Sequence, residues 1–123
     1  MALPGNLALA CVRGDTLRRS MTWTADGEPV DLTDCTALMQ ARDANGEVVL
    51  EITTTAGDSG GVTLGDDEGT IAIHVTPAGT DVAANSYDYD LEITFPGAGG
   101  DVQTVVRGTL TVESDVSREE ESP

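Results

Sequence analysis

The chain has 123 residues, of which 22 are acidic and only six are basic, so its formal net charge is −16. This charge excludes electrostatic attraction to nucleic acid or to an anionic membrane, and we expect neither as a partner. The length suits one domain that buries roughly two-thirds of its unfolded surface. No stretch approaches the roughly 20 apolar residues of a membrane-spanning helix.

Alternating apolar and polar residues predict short β-strands along most of the chain. Residues 6–12 predict an edge strand or an exchanged strand, and residues 16–24 a half-buried strand. Further strands are predicted at residues 35–42, 48–52, 62–64, 71–75, 86–95 and 102–112. Turns separate them, among them Asp26-Gly27, a favoured hairpin pair, the second hairpin turn at residues 43–46 and the glycine-rich loop 96–100. Residues 76–85 predict one helical turn or a wide loop.

The clearest strand covers residues 86–95. One of its faces carries five large apolar side chains, those of Tyr87, Tyr89, Leu91, Ile93 and Phe95. Because successive strand side chains point to opposite faces, the other face carries Asp88, Asp90 and Glu92. This pattern predicts a central core strand with an anionic outer face.

Periodicity also predicts which residues of two further strands face the core. In the strand 48–52 they are Val48, Leu50 and Ile52, and in the strand 102–112 they are Thr104, Val106, Leu110 and Val112. Gly108 interrupts the second of these faces, which predicts a bulge or a close backbone approach.

Seven to nine short strands joined mostly by hairpins, with no long helix, predict an all-β fold. The best match is an immunoglobulin-like antiparallel β-sandwich, and a small barrel or jelly roll is the alternative. We expect three parts along the chain: an N-terminal docking strand or arm (residues 1–13), the sandwich domain (residues 14–113) and an acidic flexible tail (residues 114–123).

The charge is distributed unevenly. Residues 1–24 hold three arginines against one aspartate, a net charge of +2, whereas the remaining residues carry −18. A basic first strand on an acidic body could dock on a second copy or on another acidic subunit. The candidate docking residues are Leu7, Leu9, Arg13, Arg18 and Arg19.

Two motifs match catalytic or adhesion sequences, but turns of small residues explain both of them better. The string Gly57-Asp58-Ser59-Gly60-Gly61 matches the nucleophile region of chymotrypsin-like proteases, yet the single histidine, His74, follows the serine instead of preceding it. Arg13-Gly14-Asp15 matches an integrin-binding tripeptide of only three residues. No phosphate-binding loop, dinucleotide fingerprint or zinc spacing is present. We therefore expect no enzyme, no catalytic residue and no cofactor.

Two other groups leave alternatives open. Asp66, Asp67 and Glu68 crowd one turn, and these residues and the acidic strand face could be solvated, meet a partner's basic residues or bind a divalent ion. Neither group fits a known calcium loop, and no metal ligand is assigned. Cys11 and Cys35 could form one disulfide or remain as two buried thiols.

Four segments together resemble a group of small tailed-bacteriophage proteins. In that group a pattern GDT … W … G.P.DLT … A.MQ.R … Y.YDLE recurs, and the matching segments here are Gly14-Asp15-Thr16, residues 21–33, residues 37–42 and residues 87–92. The group is similar to the immunoglobulin-like N-terminal domain of phage baseplate upper proteins. The resemblance spans residues 14 to 112, and its motifs are turns and core faces.

The resemblance implies a non-catalytic virion protein that is made in the host cytoplasm. Its expected partners are other capsid, neck or tail subunits, and a homo-oligomer is expected because phage parts assemble symmetrically. Because the chain ends where that domain ends, we expect a tail or baseplate adaptor or a cement protein that decorates the capsid. The alternative is a soluble carbohydrate- or calcium-binding β-module that uses the acidic turn, Asp88 and Asp90.

Overall fold

The computed structural model describes residues 5–65, 68–97 and 100–114. These residues form eleven strands and one helical turn: β1 (Gly5–Asn6), β2 (Leu9–Val12), β3 (Leu17–Thr22), β4 (Thr24–Ala25), β5 (Glu28–Pro29), β6 (Thr36–Arg42), β7 (Val48–Thr53), β8 (Gly60–Leu64), β9 (Thr70–Val75), α1 (Pro77–Thr80), β10 (Asn85–Thr94) and β11 (Val102–Glu113). Eight strands have at least four residues, in agreement with the predicted seven to nine. The helical turn α1 confirms the prediction for residues 76–85. None of the described helical residues forms a helix long and apolar enough to cross a bilayer.

The strands form two sheets that pack on a shared core. The larger sheet has the order β1-β11-β10-β6-β7, with β2 also paired to β11, and the smaller sheet has the order β3-β9-β8. A central β6-β10-β11 sheet facing a β3-β9-β8 sheet is the strand order of immunoglobulin domains, so the predicted sandwich is confirmed. The pairing is antiparallel except at β1 and β2, which run parallel to β11.

The core lies against the inner face of β10, as the sequence pattern predicts. Tyr87, Tyr89, Leu91 and Ile93 are buried, and they pack with apolar side chains from both sheets. Phe95 follows the strand and is half-buried, and its ring meets the ring of Trp23 edge-on at 5.9 Å between centroids. Burial of each large side chain contributes on the order of 1.5–3 kcal/mol, so this face is a major source of hydrophobic stabilisation.

The start of β10 is anchored by its first aromatic residue. The hydroxyl of Tyr87 donates a hydrogen bond to the carbonyl oxygen of Ala83, four residues earlier. This contact reproduces the tyrosine corner that immunoglobulin-like sandwiches form where the chain enters the equivalent strand. It satisfies the buried phenol and holds the connection from α1 to β10 against the domain.

Both hairpin turns predicted from the sequence are present. β4 pairs with β5 around Asp26 and Gly27, whose φ angles of 55° and 82° are those of a type I′ turn. The β6–β7 turn is closed by Asp43, whose carboxylate accepts hydrogen bonds from the backbone N–H groups of Asn45 and Glu47 at 2.9 and 3.0 Å. These local contacts explain why short polar segments suffice to reverse the chain.

The predicted core positions of Val48 and Thr104 are wrong, because a bulge in each strand changes the face on which the side chain lies. The β6–β7 register slips between Ala41 and Arg42, and Val48 beyond the slip is 42% exposed instead of lining the core. The β10–β11 register slips between Leu91 and Glu92, which leaves Val105 as an extra residue. Val105 and Val106 are both buried, and Thr104 faces outward opposite Glu92. A bulge adds one residue, so the side chains before it change faces.

The N-terminal strand crosses β11 at a close backbone contact, as the sequence predicts for Gly108. An ideal Cβ on Gly108 would lie 2.3 Å from the carbonyl oxygen of Leu7. The same oxygen accepts a hydrogen bond from the hydroxyl of Tyr89, and the Leu7 N–H donates to the carbonyl oxygen of Arg107 at 3.1 Å. The absence of a side chain at position 108 therefore lets β1 and β2 lie on the edge of β11.

Replacement of Gly108 by alanine should destabilise the domain by about 1–3 kcal/mol, because the added methyl group displaces the backbone at Leu7. Gly57→Ala is the matched control, since nothing lies within 4 Å of its ideal Cβ. Its effect should stay within about 0.5 kcal/mol. Urea unfolding of the two variants measures both values, and equal stabilities would contradict the proposed contact.

Stability should also fall at alkaline pH because of Tyr89. Burial raises the pKa of Tyr89, and the nearby positive charge of Arg19 offsets part of this increase. The resulting pKa is about 12. In the unfolded chain the phenol ionises near its usual value of about 10. Above that pH the unfolded chain releases a proton that the folded chain retains, so stability is lost as the pH rises from about 10 towards 12.

Urea unfolding at increasing pH measures this loss, with Tyr89→Phe as the control. That variant has no phenol at this position, so its stability should depend less on pH in this range. It should be less stable by about 1 kcal/mol at neutral pH because the hydrogen bond to Leu7 is lost. An unchanged alkaline slope in the variant would show that Tyr89 is not responsible.

Candidate docking surface

Two of the predicted docking arginines lie on an open edge of the smaller sheet. β3 pairs with β9 on one side, and no other described residue pairs with β3 on its opposite side. Arg18 lies opposite His74, and Arg19 lies opposite Ile73. Both arginines are exposed, and neither side chain makes a hydrogen bond or an ion pair with the described residues. We call Leu17–Thr22, with these two arginines, the basic edge.

The two arginines of the basic edge lie on opposite faces of the sheet. Ile73 belongs to the buried core, so its cross-strand neighbour Arg19 lies on the inner face, at the open side of the sandwich. The effect of Arg19 on the pKa of Tyr89 is consistent with this position. Arg18 lies on the outer face beside the half-buried His74. Positive charge is therefore available on either side of this edge.

The third predicted arginine, Arg13, has a partner in its own chain. Its Nε lies 2.9 Å from the Asp81 carboxylate, in an exposed ion pair. The following turn is held by the buried Thr80, whose hydroxyl accepts from the Gly14 N–H at 3.0 Å and donates to the Asp15 carbonyl oxygen at 2.7 Å. The Arg13-Gly14-Asp15 tripeptide is thus a turn fixed against α1, a structural role that needs no adhesion partner.

The two predicted docking leucines contribute to the core of their own domain. Leu9 is 1% exposed, and Leu7 packs partly buried against the same core. In this structure residues 5–12 are therefore an intact edge of the larger sheet. A docking role for Leu7 and Leu9 stays a prediction that requires exchange of this strand between chains.

The acidic face of β10 has basic neighbours that sequence analysis missed. Asp88 lies opposite Arg42 of β6, and Asp90 lies opposite Arg107 of β11. Arg42 donates to the carbonyl oxygen of Gly46 and to Gln40, each at 2.8 Å. These side chains line a shallow polar groove of about 520 Å³ on the outer face of the larger sheet. No sequence signal gives these cross-strand neighbours, because strand order is a property of the fold.

The structure gives little support to a cation site on this face. No group of three or more metal-binding side chains occurs within residues 5–65, 68–97 and 100–114. The guanidinium groups of Arg42 and Arg107 at cross-strand positions would repel a cation near Asp88 and Asp90. The predicted acidic turn includes Asp66 and Asp67, which lie outside the described residues, as do residues 115–123 of the predicted tail.

The protease-like string forms a structural turn. Gly57 and Gly60 form an isolated bridge, and the carbonyl oxygen of Ser59 accepts from the Thr76 N–H at 3.0 Å. The Thr76 hydroxyl caps α1 by accepting from the Gly79 N–H at 3.2 Å. No hydrogen bond joins the side chains of Ser59 and His74, so the nucleophile–base pair that this chemistry needs is not assembled there.

The two cysteines are free thiols in partly buried positions. Burial raises the pKa of Cys11, with further increases from the charges of Asp15 and Glu113. Burial likewise raises the pKa of Cys35, together with Asp31 and Asp34. A raised pKa keeps a thiol protonated at neutral pH, which makes it a weak nucleophile and a weak metal ligand.

Comparison with known proteins gives a distant match in fold. No protein-family model and no curated protein match this chain. Among solved structures, the chain is similar to CopC from Methylosinus trichosporium OB3b, with a TM-score of 0.44 and 13% sequence identity. That match covers 92% of this chain and 86% of the CopC chain.

Proposed function

We propose that this protein is a non-catalytic structural subunit of a tailed-bacteriophage virion. It docks on neighbouring virion proteins, either as a tail or baseplate adaptor or as a cement protein on the capsid. The observation that carries the proposal is the basic edge, an open strand edge on an otherwise strongly acidic protein. The side chains of its two arginines have no hydrogen-bond or ion-pair partner among the described residues. The resemblance of residues 14 to 112 to small phage proteins supplies the virion context.

Charge supports docking onto an acidic protein surface. Residues 25–123 carry a net charge of −18 and repel acidic neighbours, whereas the positive charge of the basic edge can attract one. A guanidinium group forms two parallel hydrogen bonds with a carboxylate, which favours arginine at such contacts. The partners that fit are other acidic virion subunits.

The segments that resemble the small phage proteins occupy structural positions in the domain. Trp23 is a buried core residue, Asp26 and Gly27 form the type I′ turn, and Tyr87 forms the tyrosine corner. A motif of this kind preserves a scaffold without specifying a reaction. This is consistent with a protein whose function is attachment.

The polar groove of the larger sheet favours a second candidate, a soluble carbohydrate-binding module. Gln40, Asp88, Asp90 and Arg107 offer both hydrogen-bond donors and acceptors to a hydroxyl-rich ligand. Calcium fits this face less well because of the neighbouring arginines. The double substitution Asp88→Asn, Asp90→Asn should abolish ligand binding if this candidate is correct.

Incorporation into purified phage particles tests the proposed function. The wild-type chain should copurify with particles from infected cells, as measured by quantitative mass spectrometry and located by immunogold labelling. Arg18→Glu should lower incorporation by about tenfold, which corresponds to about 1.4 kcal/mol of binding. Arg107→Glu, the same charge change on the other sheet, is the control and should incorporate normally.

Circular dichroism establishes that both variants remain folded. A chain that is abundant in infected cells but absent from particles would overturn the virion assignment. Glycan or micromolar calcium binding that is lost in the Asp88→Asn, Asp90→Asn variant would favour the second candidate instead.

A further inference from the structure

We propose that the basic edge accepts an extended acidic segment of another protein as an additional β-strand of the smaller sheet. The inference rests on the proposed docking function and names the chemistry of its partner. Three features of β3 support it: the direction of its backbone groups, the accessibility of its edge and the placement of its arginines.

The backbone hydrogen bond of Trp23, the residue just after β3, shows which backbone groups of β3 point towards β9 and which point to the open edge. The Trp23 N–H donates to the Gly69 carbonyl oxygen at 2.8 Å, and these residues continue the register that pairs Thr22 with Thr70. In an antiparallel pair, hydrogen-bonded and non-hydrogen-bonded positions alternate. Leu17, Arg19 and Met21 therefore direct their backbone groups towards β9. Arg18, Ser20 and Thr22 direct theirs to the open edge.

The open edge is long enough to pair with a partner strand. Six residues span roughly 20 Å at strand spacing, and β3 contains neither proline nor glycine. The other edges are less available: β1 and β2 cover β11, and β7 packs near β8 on the far side of the sandwich. An unpaired row of backbone donors and acceptors is a template for strand addition.

The arginines select the charge of the added strand. Arg18 lies on the outer face and Arg19 on the inner face, so acidic side chains on either face of an incoming strand meet a guanidinium group. Pairing with a second copy of β3 would bring two pairs of arginines into one short ribbon, which is unfavourable. An inward-pointing charge is also a feature that protects edges from indiscriminate pairing. The occupant that fits is therefore an acidic segment of a different protein.

Backbone hydrogen exchange measured by NMR tests the pairing directly. The probe is a short, end-capped peptide in which glutamate alternates with valine and threonine. Its binding should slow exchange at the amides of Arg18, Ser20 and Thr22. Exchange at Arg19 and Met21, whose amides already pair with β9, should change much less. The same peptide with lysine in place of glutamate should not slow exchange at these three amides.

Two substitutions at one position separate backbone pairing from side-chain contact. Ser20→Pro removes an edge N–H and should weaken peptide binding by about fivefold or more. Ser20→Ala keeps this N–H and should bind as the wild type does. Arg18→Glu, which leaves the backbone unchanged, should weaken binding by about tenfold. It keeps the inference testable if the proline variant fails to fold.

Three outcomes would overturn the inference. The first is binding without the alternating protection, which would indicate contact through side chains alone. The second is equal binding by Ser20→Pro and Ser20→Ala. The third is self-association through β3 with no peptide binding, which would make a second copy the occupant. Because the assay needs only purified protein, it can succeed even if the chain is absent from phage particles, and it can fail even if the chain is present.

Discussion

Strand β10 pairs with β11 on one side and with β6 on the other, so it is the central strand of the larger sheet. Its inner face packs against the smaller sheet, so those side chains are shielded from solvent and are mostly apolar, whereas its outer face is polar. Two tyrosines on the inner face also hold chain segments outside the strand. Tyr87 binds the connection from α1, and Tyr89 binds the N-terminal segment at Leu7.

The contact at Leu7 determines which edge of the sandwich stays open. β1 and β2 can lie along β11 only because Gly108 has no side chain, and this arrangement covers the edge of the larger sheet. Residues 5–12 are consequently not available to pair with β3, whose open side has no partner strand among the described residues. The packing at Gly108 and the accessibility of β3 are thus connected, because both depend on the path of residues 5–12.

The electrostatic organisation also depends on the fold. The basic edge carries two arginines without a hydrogen-bond or ion-pair partner among the described residues, whereas Arg13, close to them in sequence, is paired with Asp81. On the other sheet, Arg42 and Arg107 interrupt what the sequence presents as a purely acidic face. A local charge count therefore identified a basic segment correctly, but it did not show which of its residues are available to a partner.

The sequence by itself determined the strand class, the two-faced pattern of β10 and both hairpin turns, and for Gly108 it predicted either a bulge or the close approach that is present. These features depend on local rules: side-chain alternation, turn residues that accept positive φ, and the small size of glycine. Only the tertiary structure decided the outward positions of Val48 and Thr104, the arginines opposite the acidic row and the availability of β3. Those features depend on bulges and strand order, which arise from pairing between segments distant in the chain and leave no periodic signal within either segment.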